Sequence, residues 1–136
     1  MNNMISMIRE SSAGVLFESG RYLIVCHNAQ SDSRLWSFPC SLQRYKGPVQ
    51  RHLKTGIEKE LGIVVEVRDL LKEYRVSCNG EEFKRRVYWI SRKGTGLIRA
   101  REGFAFKWVT LEELAGMSMV MIDQPLVSIL EDLSFA

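Results

Sequence analysis

Apolar residues recur along this chain at two different spacings, and the changes of spacing mark its elements. From Ser12 to Glu18 they alternate, which puts Ala13, Val15 and Phe17 on one face of a strand. Ser19-Gly20 is a turn signal, and Tyr22 to Cys26 reads as the returning strand. Asn28 to Arg34 is polar and reads as a loop. Leu35 to Cys40 (LWSFPC) is a short apolar run closed by Pro39, and Ser41 to Gly47 reads as irregular. The spacing then becomes four. Val49, Leu53, Ile57 and Leu61 predict a helix of about 14 residues. Pro48 suits its first position, where a fixed φ helps and an N–H is not needed, and Gly62 ends it. Strand-like runs return at Ile63 to Val67 and Leu70 to Cys78. Asn79-Gly80 is the strongest hairpin signal in the chain. Phe83 to Arg92 then alternates around Val87, Trp89 and Ser91, and Phe104 to Val109 is a further short strand. Thr110 is a good N-cap, and Glu113 three residues on completes a capping box. Gln124 to Leu133 reads as a last helix with Leu126, Ile129 and Leu133 on one side. This order predicts an α/β fold, with a mixed sheet between helices. No linker, repeat or low-complexity stretch interrupts it, so residues 1–136 read as a single domain.

Composition narrows the partners. A chain of 136 residues buries about two-thirds of its unfolded surface and needs no staples. The net charge of +3 is too small to imply nucleic acid. No apolar run approaches the roughly 18 residues of a membrane span, and MNNMISMIRE lacks the apolar core of a secretory signal. Cys26, Cys40 and Cys78 show no CxxC spacing, so zinc and a disulfide framework are not expected. Each reads as a small hydrophobe, and a cytoplasmic setting is expected. His27 and His52 are isolated and read as structural. Lys84-Arg85-Arg86, just after the hairpin turn, reads as a solvated strand edge. Its alternative use is contact with phosphates or RNA.

One helical residue is out of place. On a wheel at 100° per residue the apolar arc spans about 120° between Val49 and Leu61, and Glu60 falls inside it, near Val49 and Leu53. A carboxylate facing a core is costly unless it is paired, neutral or bound to a cation. Helix geometry alone also allows a rim glutamate that reaches solvent or a salt-bridge partner.

The surrounding residues resemble a known family. IEKELGI (Ile57 to Ile63) is similar to the second half of the signature of the Nudix (MutT-like) superfamily, G-x5-E-x7-R-E-U-x-E-E-x-G-U, where U is aliphatic. Ile57, Glu60, Gly62 and Ile63 match. WSFP (Trp36 to Pro39) resembles the W-x-F-P stretch that leads into that box. REGFAFKWVTLEEL (Arg101 to Leu114) resembles the family's late strand, whose tryptophan leads into a short helix. The resemblance implies a Nudix α/β/α sandwich. It implies hydrolysis of a pyrophosphate bond, with carboxylates on one helical face holding Mg (or Mn) ions that clamp the pyrophosphate and activate water.

The departures from the box are large. Ser41 stands for its opening glycine and Gly47, or Pro48, for its first acid. Thr55-Gly56 replace the R-E pair, and Lys59 replaces the first acid of E-E. Glu60 alone remains as a metal and catalytic residue. Glu58 lies about 160° around the helix and reads as a solvated charge. Lys59 puts positive charge where a ligand should be. It either reaches solvent or stands in for the metal's charge by pairing with Glu60 or a ligand phosphate.

Three further positions follow from the resemblance. Glu102, six residues before Trp108, matches in spacing a loop glutamate that serves as general base in MutT-like proteins; the plainer reading is an exposed loop acid beside Arg99 and Arg101. Asp123, in DQPLVSIL, matches the Asn or Asp that contacts the nucleobase, and is also a good N-cap. Trp36 and Phe38, with Trp108, are candidates to stack on a base or to fill core. The expected function is binding of a nucleotide or another pyrophosphate-containing compound, with Mg-dependent hydrolysis weak or lost and possession of any cofactor open. One alternative is an active hydrolase whose ligands are recruited from Glu102, Glu18 or Glu66. The other is a non-enzymatic module for RNA binding, sensing or protein interaction, and a homodimer stays open.

Overall fold

The computed structural model describes residues 8–30, 34–42 and 48–134. Its strands are β1 (Ile8–Glu18), β2 (Arg21–Cys26), β3 (Cys40–Leu42), β4 (Val65–Cys78), β5 (Glu81–Arg92) and β6 (Ala105–Val109). Its helices are α1 (Val49–Leu61), α2 (Leu111–Ala115) and α3 (Gln124–Ser134), with a 3-10 turn at Met121–Asp123. The strand order is β4-β5-β1-β2-β6, with β3 paired to β1. β1 runs parallel to β5, and the other pairs are antiparallel, so the sheet is mixed.

Alternation along the strands builds two cores. Ala13, Val15, Ile24, Val87 and Val109 face one way and pack with Leu114 of α2 and Leu126 and Leu130 of α3. Leu16, Leu23, Val25 and Ile90 face the other way and pack on Leu53, Ile57 and Leu61 of α1. Each side chain of this size adds about 1.5–3 kcal/mol when fully buried. The expected α/β fold with helices on both sides of a mixed sheet is therefore what the chain adopts.

Local chemistry explains most boundaries. Asn79 (φ 52°) and Gly80 (φ 80°) both take left-handed backbone, as a tight turn between antiparallel strands requires. Gly62, at φ 66°, caps α1 and donates its N–H to the Glu58 carbonyl. Thr110 and Glu113 form both bonds of the capping box on α2.

Several expectations change. Pro48 is the extended residue just before α1 rather than its first helical residue. β4 is one strand, not two; register shifts near Leu70 break the alternation where Arg68-Asp69 interrupts the pattern. Ser41 is in a strand, because β1 leaves β2 after two paired positions and β3 takes its open edge, Ser12 facing Ser41. Residues 43–47, read as irregular, and 31–33 of the expected loop lie outside the described residues. In α3, Leu130 fills the core in place of Leu133, which is 45% exposed. Lys84-Arg85-Arg86 is not a solvated edge, because β5 is an inner strand between β4 and β1. No helix among the described residues is long and apolar enough to cross a membrane.

Candidate functional site

Glu60 sits in the last turn of α1, where three segments converge. The loop after β5 crosses the helix end: Arg99 N–H donates to the Leu61 carbonyl and Arg101 N–H to the Glu60 carbonyl, both at 2.8 Å. These bonds satisfy helix carbonyls that have no partner within the helix. The chain leaving β2 joins the same loop through Ala29 N–H and the Gly103 carbonyl, 3.0 Å apart. This brings His27, the residue after β2, beside the helix. His27 Nε2 lies 3.0 Å from Glu60 Oε1. A carboxylate only accepts, so Nε2 carries the hydrogen. Phe104 meets the His27 ring edge-on, with centroids 4.7 Å apart, and the Arg101 guanidinium lies 5.8 Å from the Phe104 centroid.

Glu60 is thus neither core nor free. Its side chain is 24% exposed, and a histidine rather than a cation of the box is its partner. His27, read as isolated and structural, has Glu60 as its partner. Nothing in its spacing announced it, because the two residues are 33 apart in sequence.

The other box positions are as unlike a magnesium site as their identities suggest. A Cβ added at Gly56 would stand 3.3 Å from Ser41 Cβ and 3.4 Å from Ser41 Oγ, so α1 and β3 close on each other where a carboxylate side chain would have to pass. Lys59 and Glu58 are exposed. Magnesium takes near-octahedral oxygen coordination, with one or two carboxylates beside substrate phosphates. Among the described residues no group of three His, Cys, Asp or Glu is placed to hold a metal. Two of the acids named as recruits are engaged. Glu18 is bound by both Arg92 Nη2 (2.5 Å) and Nε (3.2 Å), and Glu66 pairs with Arg68 at 3.1 Å. Glu102 is exposed in a turn of the loop. The described residues do not assemble a magnesium centre.

On the other side of the sheet lies a buried polar cluster. Arg85 points to the same side as Val87 and is 2% exposed. Its Nη1 donates to Ser11 Oγ at 3.1 Å and its Nη2 to Asp123 Oδ1 at 2.5 Å. Asp123 is fully buried, and its Oδ2 accepts from Phe38 N–H at 2.9 Å. Tyr74 adds a bond from its hydroxyl to the Ile122 carbonyl, 2.7 Å. Burial works against the charge on Arg85, but the Asp123 carboxylate outweighs it and holds the guanidinium firmly protonated. Burial pushes the Cys40 thiol and the Tyr74 hydroxyl up, so both stay neutral.

This cluster bears on several candidate site residues. Asp123 is fully buried and both its oxygens have internal partners, so it presents no oxygen to a ligand in this conformation. Phe38 is fully buried in the core rather than open for stacking. Trp36 is half-buried against the core, with the Lys107 ammonium 5.8 Å from its ring centroid. Arg85 was legible: it is in phase with Val87 and Trp89, which the alternation turns inward. Arg86 and Lys84 pair with Glu73.

No protein-family model and no curated protein matches the sequence. Solved structures do match. The solution structure of the E. coli ORF135 protein aligns with a TM-score of 0.80 at 22% identity, covering 98% of this chain and 96% of that one. A NUDIX hydrolase from Nitrosomonas europaea aligns at 0.79 and 17% identity, over 94% and 89% of the two chains. An ADP-ribose pyrophosphatase from Streptococcus suis aligns at 0.66 and 14% identity, over 93% and 92%. The likeness is one of architecture and spans almost the whole chain: this protein has the fold of the Nudix hydrolases.

Proposed function

We propose that this protein binds a nucleotide or another pyrophosphate-containing compound where α1 meets the 99–104 loop, and that it hydrolyses its ligand weakly or not at all by a magnesium route. The fold supports the ligand class, since an ADP-ribose pyrophosphatase shares it. The observation that carries the catalytic half is the His27–Glu60 contact. The last carboxylate of the box is held by a neighbouring side chain, and no group of three metal-binding side chains forms around it among the described residues. Lys59 is the accessible ligand contact at the helix end in this reading, Trp36 packs on the α2–α3 side of the sheet and is a separate stacking candidate, and Glu102 has no metal-bound water to act on. Asp123 serves as a positioning residue for the Phe38 backbone.

Isothermal titration of the purified protein with nucleoside triphosphates, dinucleotides, nucleotide sugars, ADP-ribose and pyrophosphate tests the ligand class. Saturable binding of at least one compound that is lost when the phosphates are removed is expected. Absence of binding across the series contradicts the proposal.

A further inference from the structure

The box positions have lost acids and gained bases. Between Ser41 and Gly62 the chain carries Arg44, Lys46, Arg51, Lys54 and Lys59 against Glu58 and Glu60. That excess equals the +3 of the entire chain. Elsewhere the cations are often spoken for: Arg9, Arg68, Lys84, Arg85, Arg86 and Arg92 each pair with a carboxylate. The described cations of α1 and of the adjoining loop differ. Arg51, Lys54, Lys59, Arg99 and Arg101 are all exposed, and none has a carboxylate partner among the described residues.

Two of these cations flank Glu60 directly. Lys59 precedes it in the chain. Arg101 is tied to it by the backbone bond to the Glu60 carbonyl, and its guanidinium rests over Phe104, the ring that also holds His27. His27 in turn occupies the Glu60 carboxylate. Glu60 is therefore engaged, and although Glu58 and Glu102 are also exposed, the five open cations Arg51, Lys54, Lys59, Arg99 and Arg101 outnumber the acids of α1 and the adjoining loop. Such a surface attracts the bare polyanion. A divalent ion on the phosphates cancels the charge that these side chains would meet and brings its own charge toward Lys59 and Arg101.

We infer that this protein takes its phosphate ligand free of divalent metal, and that magnesium competes with the protein for the phosphates instead of bridging the two. The inference rests on the proposed function for its ligand class, and it reverses the metal dependence that the fold leads one to expect.

The test has two arms on the full-length protein. In the first, ATP, ADP-ribose and inorganic pyrophosphate are titrated calorimetrically in EDTA and in excess magnesium. Affinity is expected to be higher in EDTA and to fall about five- to tenfold with magnesium, and to weaken with added salt, as contacts to exposed charges do. Lys59→Glu and Arg101→Glu should each weaken binding in EDTA and narrow the gap between the two buffers. Binding that needs magnesium overturns the inference and leaves the proposed function standing. Equal affinities in the two buffers, or no effect of either charge reversal, also overturn the inference. No binding in either buffer overturns both. In the second arm, manganese alone is added and followed by electron paramagnetic resonance, comparing the protein with Glu60→Gln. No manganese uptake that depends on Glu60 is expected. Uptake lost in Glu60→Gln overturns the inference whatever the first arm shows.

Discussion

The guanidinium of Arg85 and the carboxylate of Asp123 meet 2.5 Å apart on one side of the sheet, and neither reaches solvent. The pair joins an inner strand to the turn before α3, and through Phe38 N–H it fixes the segment that enters β3. Removing one partner strands the other charge in the core. Asp123→Ala should therefore cost about 3–5 kcal/mol in urea unfolding. Arg85→Met combined with Asp123→Leu should cost clearly less than the two single changes summed, because no buried charge is left alone. Additive losses would show that the pair is not coupled.

Gly56 and Ser41 set how closely α1 approaches β3. Alanine normally gains about 1 kcal/mol over glycine within a helix. Here its Cβ would stand 3.3 Å from Ser41 Cβ, an atom fixed to strand backbone. Gly56→Ala should consequently fail to stabilise the protein, and adding Ser41→Gly should recover part of the missing gain. Thermal unfolding of the two variants checks this. A stabilised Gly56→Ala protein would show that the contact yields.

Acid should loosen α2. Thr110 N–H and the Thr110 hydroxyl hold the Glu113 carboxyl below its ordinary range. A carboxylate with a depressed folded pKa adds stability above its unfolded value, and that stability is lost as pH falls through the folded value. Glu113→Gln should lower the thermal midpoint near neutrality, and that cost should shrink as pH falls through the depressed pKa of Glu113. A cost that is constant down to strongly acid pH would contradict the assignment.

Much of this architecture can be read from the chain, because alternation and four-residue spacing are set by local burial. The helix stripe Leu53, Ile57 and Leu61, the Asn79-Gly80 turn and the Thr110–Glu113 box all act over a few residues. Departures arise where distant partners decide. Ser41 joins a strand only because β1 parts from β2, and the partner of Glu60 comes from the end of β2. Asp123 satisfies a cap pattern locally, yet its oxygens are claimed by Arg85 and by Phe38 N–H. The alternation around Val87 and Trp89 does indicate that Arg85 points inward, although its basic neighbours suggest an exposed run. The Thr55-Gly56 and Lys59 departures are read from the sequence alone, whereas the contact of Glu60 with His27 needs the fold.

Hydrolysis offers the sharpest decision about Glu60. ADP-ribose and nucleoside triphosphate cleavage should be followed with magnesium and with manganese, for the protein and for Glu60→Gln. We predict no metal-dependent turnover above background, and no difference between the two proteins. Metal-dependent turnover near the usual enzyme range of about 1 s⁻¹ or more, abolished in Glu60→Gln, would contradict this.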